Sequence, residues 1–236
     1  LGSTRLDLVT ARKEVYARPA ALPQVSPGTI ENDLDRRDFS VNALALSMNE
    51  PCSSIYDLHG GIRDIGLKLI RVLHRRSFED DPTRLLRAVR YEQRLGFNIE
   101  EWTLSLAKRA IAQGHMASVS GDRVRHELNW ILHEEHPVWP LRRAMELGIL
   151  AAIHPALVDC GTLDKLESFA PLQYPFDGTR VEAGHESDDR PLVYLGALVY
   201  PMSPGDGEGL IRRLNLGNRW AKVVRDAIAL RRVGPA

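Results

Sequence analysis

The sequence predicts an α+β chain, with a small mixed unit up to about residue 65 and a remainder that is helical almost throughout. Three observations point there. Leu6 and Leu8 alternate with Asp7 and Val9, the period-two pattern of a half-buried strand. The period then changes: Arg37, Val41, Leu44, Ala45 and Met48 fall at i, i+4, i+7, i+8 and i+11, one face of a helix. From Asp81 onward, caps and apolar stripes recur at helical spacing.

Taken in order, the first strand falls in "RLDLVTARKEVY", and the Pro- and Gly-rich "RPAALPQVSPGTIEN" reads as a loop. A helix follows in "DLDRRDFSVNALALSMN", then a turn in "DLHGGIRD" and a short apolar element in "KLIRVL". Asp81 is an N-cap, Pro82 suits the first helical position, and Leu85, Leu86 and Val89 begin an apolar stripe that Gly96 ends. "IEEWTLSLAKRAIAQG" is a second helix closing at Gly114, and "SGDRVRHELNWILHEEHP" a third, stopped by Pro137. "PLRRAMELGILAAI" is a fourth, followed by a loop-rich stretch from about 154 to 190. The helical runs "PLVYLGALVY" and "NRWAKVVRDAIALRR" close the chain, with "GDGEG" (205–209) as a flexible turn between them.

With 236 residues, 44% of them hydrophobic, the chain can bury a core and fill more than one compact unit. Its formal net charge is zero, so the total calls for neither nucleic acid nor an anionic membrane. Local charge differs: Arg84, Arg87, Arg90 and Arg94 recur at intervals of three or four. No apolar stretch approaches the roughly 20 residues of a membrane span, and no signal peptide is visible. Cys52 and Cys160 lie far apart and outside metal-ligand spacing, which favours a reducing, cytoplasmic setting.

Asp81 and Arg84 are three apart and share a face at a helix start. A carboxylate accepts and a guanidinium donates, so the pair matches an exocyclic amino group beside an unprotonated ring nitrogen, as in cytosine and adenine. Uracil and guanine present the reverse pattern, and each group left unsatisfied costs roughly 1–3 kcal/mol. The same spacing also fits a plain helix cap beside a solvated arginine. In "RRDFSVNA", Asp38 and Asn42 are four apart, with Arg37 beside them. A carboxylate suits a ribose hydroxyl and a guanidinium a triphosphate, although a solvated helix start has the same composition. Asp7 offers a single carboxylate, whereas phosphoryl transfer through paired magnesium ions needs two or three converging. "HEEH" lacks zinc-protease spacing, the histidine of "GHESDD" has no second ligand cluster, and neither a P-loop nor a Rossmann glycine motif occurs.

The order of these segments carries a resemblance. "LDLVTARKEVY" with "ALPQV", "DLDRRDFSVNALAL", "DLHGGIRD", "FEDDPTRLLRAVRY" and "SGDRVRHEL" together resemble the class II tRNA nucleotidyltransferases and bacterial poly(A) polymerases, a branch of the DNA polymerase β-like superfamily. The resemblance implies a partial nucleotidyltransferase head at residues 1–65, a small mixed sheet plus helices lacking its N-terminal part. It implies a nucleotide-reading, RNA-binding helical neck at 66–136 and a helical body at 137–236. Asp81 and Arg84 become the pair that reads the Watson–Crick edge of CTP or ATP. Arg37, Asp38 and Asn42 become triphosphate and ribose contacts, Arg87 and Arg90 further nucleotide or RNA contacts, and Asp7 a third metal-binding carboxylate.

The implied reaction adds C, A or both to a tRNA 3′ end with Mg2+ and releases pyrophosphate; poly(A) synthesis shares these motifs. A non-catalytic RNA-binding module derived from the same family is the alternative. The family's first motif, a Gly-Gly-x-x-Arg turn with an Asp-x-Asp pair, is not among these residues and is expected upstream of Leu1, so the chain as given is not expected to catalyse alone. Asp80 and Asp122 stand where the family commonly has Glu, each moving its charge back by about one methylene.

Overall fold

The structure, a computed structural model, describes residues 7–48, 54–157, 163 and 189–231. Leu6, Cys52, Cys160 and the "GHESD" segment at 184–188 lie outside them. Strand β1 (Arg12–Val15) pairs antiparallel with β2 (Gln24–Pro27), Arg12 facing Pro27. Helix α1 (Ile30–Asp35) starts on a reciprocal cap, in which Thr29 Oγ1 accepts from the Asn32 N–H and Asn32 Oδ1 accepts from the Thr29 N–H. A 3₁₀ turn (Ser40–Asn42) leads into β3 (Leu44–Leu46), antiparallel to β4 (Ile55–Asp57). After α2 (Gly61–Leu67), β5 (Leu69–Ile70) runs parallel to β6 (Asn98–Ile99), with α3 (Ser77–Asp80) and α4 (Arg84–Leu95) in the crossover.

The rest is helical: α5 (Glu101–Ala112), a 3₁₀ turn (His115–Ser118), α6 (Gly121–Leu132), α7 (Val138–Glu146), α8 (Ile149–Ile153), α9 (Arg190–Val199), α10 (Pro204–Leu214) and α11 (Asn218–Leu230). Helix α4 packs on α6 and α7, α6 on α9 and α10, and α11 on α9 and α10. Leu85, Leu86, Ala88 and Val89 form the buried stripe of α4, in a core that runs from Phe39, Ile70 and Phe78 to Leu141, Val199, Leu210 and Val224. Each such large apolar side chain contributes about 1.5–3 kcal/mol relative to exposure. That packing holds α4, and so the start of α4, in place.

The α+β class stands, while several local expectations do not. The alternation at Asp7–Val9 forms no strand: the β1–β2 ladder begins at Arg12, and Leu8 and Val9 are exposed with no sheet face to cover them. The expected loop at 18–32 contains β2 and the start of α1. The helix expected through Arg37, Val41, Leu44, Ala45 and Met48 breaks after Asp35. Asp38 Oδ1 accepts from the N–H of Phe39 and from Asn42, a local alternative to the helical ladder. Residues 44–46 then pair with β4.

The turn and the short apolar element expected at 57–73 hold α2 and β5. Helix α6 ends at Leu132, before Pro137, which instead opens α7. The single helix expected over 140–153 is interrupted at Gly148 (φ 78°). "GDGEG" belongs to α10, started by Ser203, whose Oγ accepts from the Asp206 N–H. Its Gly207 permits close packing: a Cβ there would lie 2.4 Å from Ile228 Cδ1.

Candidate nucleotide-reading site

Asp81 lies between α3 and α4, where its Oδ1 accepts from the Thr83 N–H (3.0 Å), the Thr83 hydroxyl (2.6 Å) and Arg123 Nη2 (2.7 Å). Among the described residues Oδ2 has no protein hydrogen-bond partner. The expected N-cap is displaced: α4 starts at Arg84 with Thr83 before it and no side-chain cap bond, and Asp81 instead closes an Asx turn onto Thr83. Arg84 is buried; Nη1 donates to Ser77 Oγ at 2.6 Å and Nη2 to the Arg36 carbonyl at 2.9 Å. A guanidinium has five N–H donors, so these two bonds aim the fork without exhausting it.

Asp38, Asn42 and Arg87 come together. Asp38 Oδ1 accepts from Asn42 Nδ2 at 3.0 Å, and Oδ2 from Arg87 Nε at 2.7 Å. Arg87 Nη1 lies 3.5 Å from Glu127. Burial works against the Arg87 charge, but Asp38 and Glu127 outweigh it and hold the guanidinium above its ordinary pKa. Arg90 is buried over the Tyr91 ring (4.7 Å), which Arg87 also approaches (5.6 Å), and donates to Glu134 at 3.1 Å. Arg36, the C-cap of α1, and Arg37 both bind Asp33. Burial opposes the Asp33 carboxylate, yet the two guanidiniums hold its pKa down. Half of the Arg37 side chain stays near solvent, available to an anion.

The Asp-x-x-Gly-Gly segment leads into α2, which packs on the Ser40–Asn42 turn. Asp57 accepts from the N–H groups of Gly61 (2.7 Å) and Ile62 (3.0 Å), capping α2. Burial opposes its charge, and these and neighbouring amides lower its pKa regardless. Gly61 is required sterically: a Cβ would fall 2.3 Å from the Ser40 carbonyl oxygen. Asp7 lies exposed ahead of β1, and the described residues contain no group of three His, Cys, Asp or Glu able to hold a metal ion. They do not by themselves compose a Mg2+ site. The buried Oδ1 of Asp80 pairs in distance with Arg76 Nη2 at 3.2 Å but has no hydrogen-bond partner among the described residues. Asp122 instead reaches Asn215 and Arg125 at the surface.

Sequence reasoning did not single out Arg123, Asp33 or Tyr16. Arg123 sat in a quoted motif, but its partners Ala20 and Asp81 are 103 and 42 positions away. Tyr16 follows β1 and donates to Glu14 at 3.1 Å. Burial, with Glu14 and Asp81 adding and Arg84 opposing, pushes its pKa up to about 12, so its hydroxyl feels both members of the Asp81–Arg84 pair and stays protonated.

A family model described as "Poly A polymerase head domain" matches residues 1–71, and one described as "Probable RNA and SrmB- binding site of polymerase A" matches 96–160. The chain is 37% identical over 228 residues to an A-adding tRNA nucleotidyltransferase of Geobacter sulfurreducens, covering 94% of this chain and 25% of that protein. It is 39% identical to a CC-adding tRNA nucleotidyltransferase of Deinococcus radiodurans, covering 94% and 54% respectively. The chain thus spans between a quarter and about half of these relatives' length. A CCA-adding enzyme in an apo form superposes with a TM-score of 0.78 at 34% identity, covering 94% of this chain and 51% of the other. A CCA-adding enzyme solved with CTP gives 0.72 at 32%, covering 86% and 47%. The Thermotoga maritima CCA-adding enzyme complexed with tRNA gives 0.70 at 33%, covering 85% and 48%.

Proposed function

We propose, for a chain that belongs to the tRNA nucleotidyltransferase and poly(A) polymerase family, that it carries the nucleotide-reading part of an enzyme adding C, A or both to a tRNA 3′ end. In this reading residues 1–65 are part of the head, 66–136 the neck and 137–236 the body. CTP or ATP is the substrate, the RNA 3′-hydroxyl attacks the α-phosphate, and pyrophosphate leaves. The setting is cytoplasmic; among the described residues no helix is long and apolar enough to cross a membrane.

One observation carries the proposal: Asp81 is held by three donors on Oδ1 and, among the described residues, keeps Oδ2 without a protein partner, next to an Arg84 anchored by Ser77 and Arg36. Oδ2 accepts from the exocyclic amino group of cytosine or adenine, and the guanidinium donates to the adjacent ring nitrogen. Uracil and guanine place a carbonyl against Asp81 and an N–H against Arg84, and sites built on such pairing reject misfits strongly. Arg37, Asn42 and Arg87 line the side toward ribose and triphosphate, with Asp38 orienting the last two. Arg90 supports α4. The family generally uses a divalent metal ion. We take it to be Mg2+, which would stabilise charge on the phosphates, and Asp7 would lend one carboxylate to ligands outside the described residues.

The test uses the full-length protein with Mg2+, tRNA lacking its CCA end or ending in CC, and each of the four nucleoside triphosphates. Incorporation confined to C and A, with Asp81→Asn admitting U or G, supports the reading. A long A tail marks a poly(A) polymerase. RNA binding without any incorporation returns the chain to a binding module.

A further inference from the structure

Arg123 lies in the first turn of α6, where its fork meets two acceptors that are far apart in sequence. Nη1 donates to the Ala20 carbonyl at 2.9 Å and Nη2 to Asp81 Oδ1 at 2.7 Å. That oxygen already accepts from the Thr83 N–H and hydroxyl, at 3.0 and 2.6 Å. A carboxylate offers about four lone-pair sites over its two oxygens, so three donors saturate Oδ1. The bond from Arg123 is the one of the three in which donor and acceptor are both charged, and tilting the carboxylate away would break it.

We infer that Arg123 is a specificity-determining positioning residue: together with Thr83 it holds Oδ1 of Asp81 and so fixes where Oδ2 meets a base amino group. The inference rests on the base-reading role proposed for Asp81. It adds that selectivity lies as much in how the carboxylate is held as in the pair itself. Without Arg123 only the two Thr83 bonds hold Oδ1, and the plane of the carboxylate, with the position facing the base, is less tightly fixed.

The other end of the fork ties this to the head loop. Ala20 adopts φ 58°, a left-handed conformation that alanine rarely takes, and its N–H donates to the Glu79 carbonyl at 3.1 Å. Its carbonyl is thereby turned toward Arg123. A planar guanidinium bridges both acceptors at once, whereas a lysine ammonium is a point donor on a flexible stem and does not reproduce the fork.

Equilibrium titration of ATP, CTP, GTP and UTP into the full-length protein tests this, for wild type, Arg123→Met, Arg123→Lys and Arg84→Ala, with a melting curve for each. Arg123→Met is expected to lower the preference for ATP over GTP roughly tenfold, the effect of one mispaired polar contact, while overall affinity falls less. Arg123→Lys, which keeps the charge, should fall between. If Arg123→Met lowers affinity for all four nucleotides equally alongside a lower melting temperature, Arg123 is merely structural and the inference is overturned. Should Arg123→Met not fold, a wild-type preference in Arg123→Lys overturns it equally. If Arg84→Ala keeps the wild-type preference, or wild type has none, the base-reading proposal itself fails. Loss of preference in Arg84→Ala but not in the Arg123 variants removes the inference alone.

Discussion

Arg87 delivers Nε and Nη2 to one oxygen of Asp38, at 2.7 and 2.6 Å, across 49 positions of sequence. Asp38 uses its other oxygen to hold Asn42 and to cap the Phe39 N–H. A helix of the core thus fixes the geometry of an irregular segment that has little regular structure of its own.

Replacing Arg87 by Ala should therefore leave Asp38, which is buried, without its cation. Removing one partner of a buried pair typically costs roughly 3–5 kcal/mol, and we expect a loss approaching that range in urea unfolding. Arg87→Ala combined with Asp38→Asn should recover a good part of it. Equal stability of the single and double variants would show that the pair is not coupled.

The sequence made some of this legible and hid the rest, for physical reasons. The α4 stripe at Leu85, Leu86 and Val89, with Gly96 beyond it at φ 61°, follows from local periodicity and capping, and these survive tertiary packing. The Asp38–Asn42 contact was foreseen from a four-residue spacing, but it forms in a 3₁₀ turn, because side chain to backbone bonds displaced the helix. Contacts such as Arg84 to the Arg36 carbonyl or Arg123 to Asp81 have no periodic signal at all. "GDGEG" misled because glycine signals flexibility in isolation, while in α10 it makes room for Ile228. The strand expected at Leu6–Val9 depended on a neighbouring strand that alternation alone does not supply.

Glu127 should respond to pH in the opposite sense from an ordinary surface acid. It is buried, its Oε2 has no hydrogen-bond partner among the described residues, and burial raises its pKa against the pull of Arg87, Arg90 and His126. A carboxyl raised on folding contributes stability below its unfolded pKa and loses it as pH rises through the folded value. Glu127→Gln should therefore be as stable as wild type or more so at pH 7, with the difference shrinking as both are brought to pH 4. Urea midpoints at the two pH values measure this, and a variant clearly weaker at pH 7 would assign Glu127 a net stabilising charge.

Glu100 should behave conversely. It caps α5 by accepting from the Thr103 N–H (2.8 Å) and hydroxyl (2.9 Å), and it pairs with Arg71 at 3.1 Å. Burial opposes its charge, but the bonds from Thr103 and Trp102 and the Arg71 charge lower its pKa. Its contribution is present above the unfolded carboxylate value and is lost as pH falls through the folded one. Glu100→Gln should melt lower than wild type at pH 6, by an amount typical of a lost cap, about 1 kcal/mol. The two curves should converge near pH 3. Parallel curves over that range would show that the carboxylate charge is not what stabilises the cap.

Gly121 should tolerate no side chain. It opens α6 where that helix meets the end of α10, and a Cβ there would sit 2.2 Å from the Arg213 carbonyl oxygen, far inside van der Waals contact. The obstacle is backbone, so no rotamer change relieves it; α6 and α10 must move apart. That would strain the Arg213 Nη2 bond to the Met116 carbonyl (3.0 Å) and the Asn215–Asp122 bond (3.1 Å). Overpacking of this kind costs about 1–3 kcal/mol, and we expect Gly121→Ala to lower thermal stability accordingly. Because Arg123 follows two residues later, the shift should also reach Asp81. Gly121→Ala is therefore expected to weaken discrimination between ATP and GTP in the same titration, a second effect that a purely local clash would not produce. A destabilised variant with wild-type nucleotide preference would confine the damage to the α6–α10 contact.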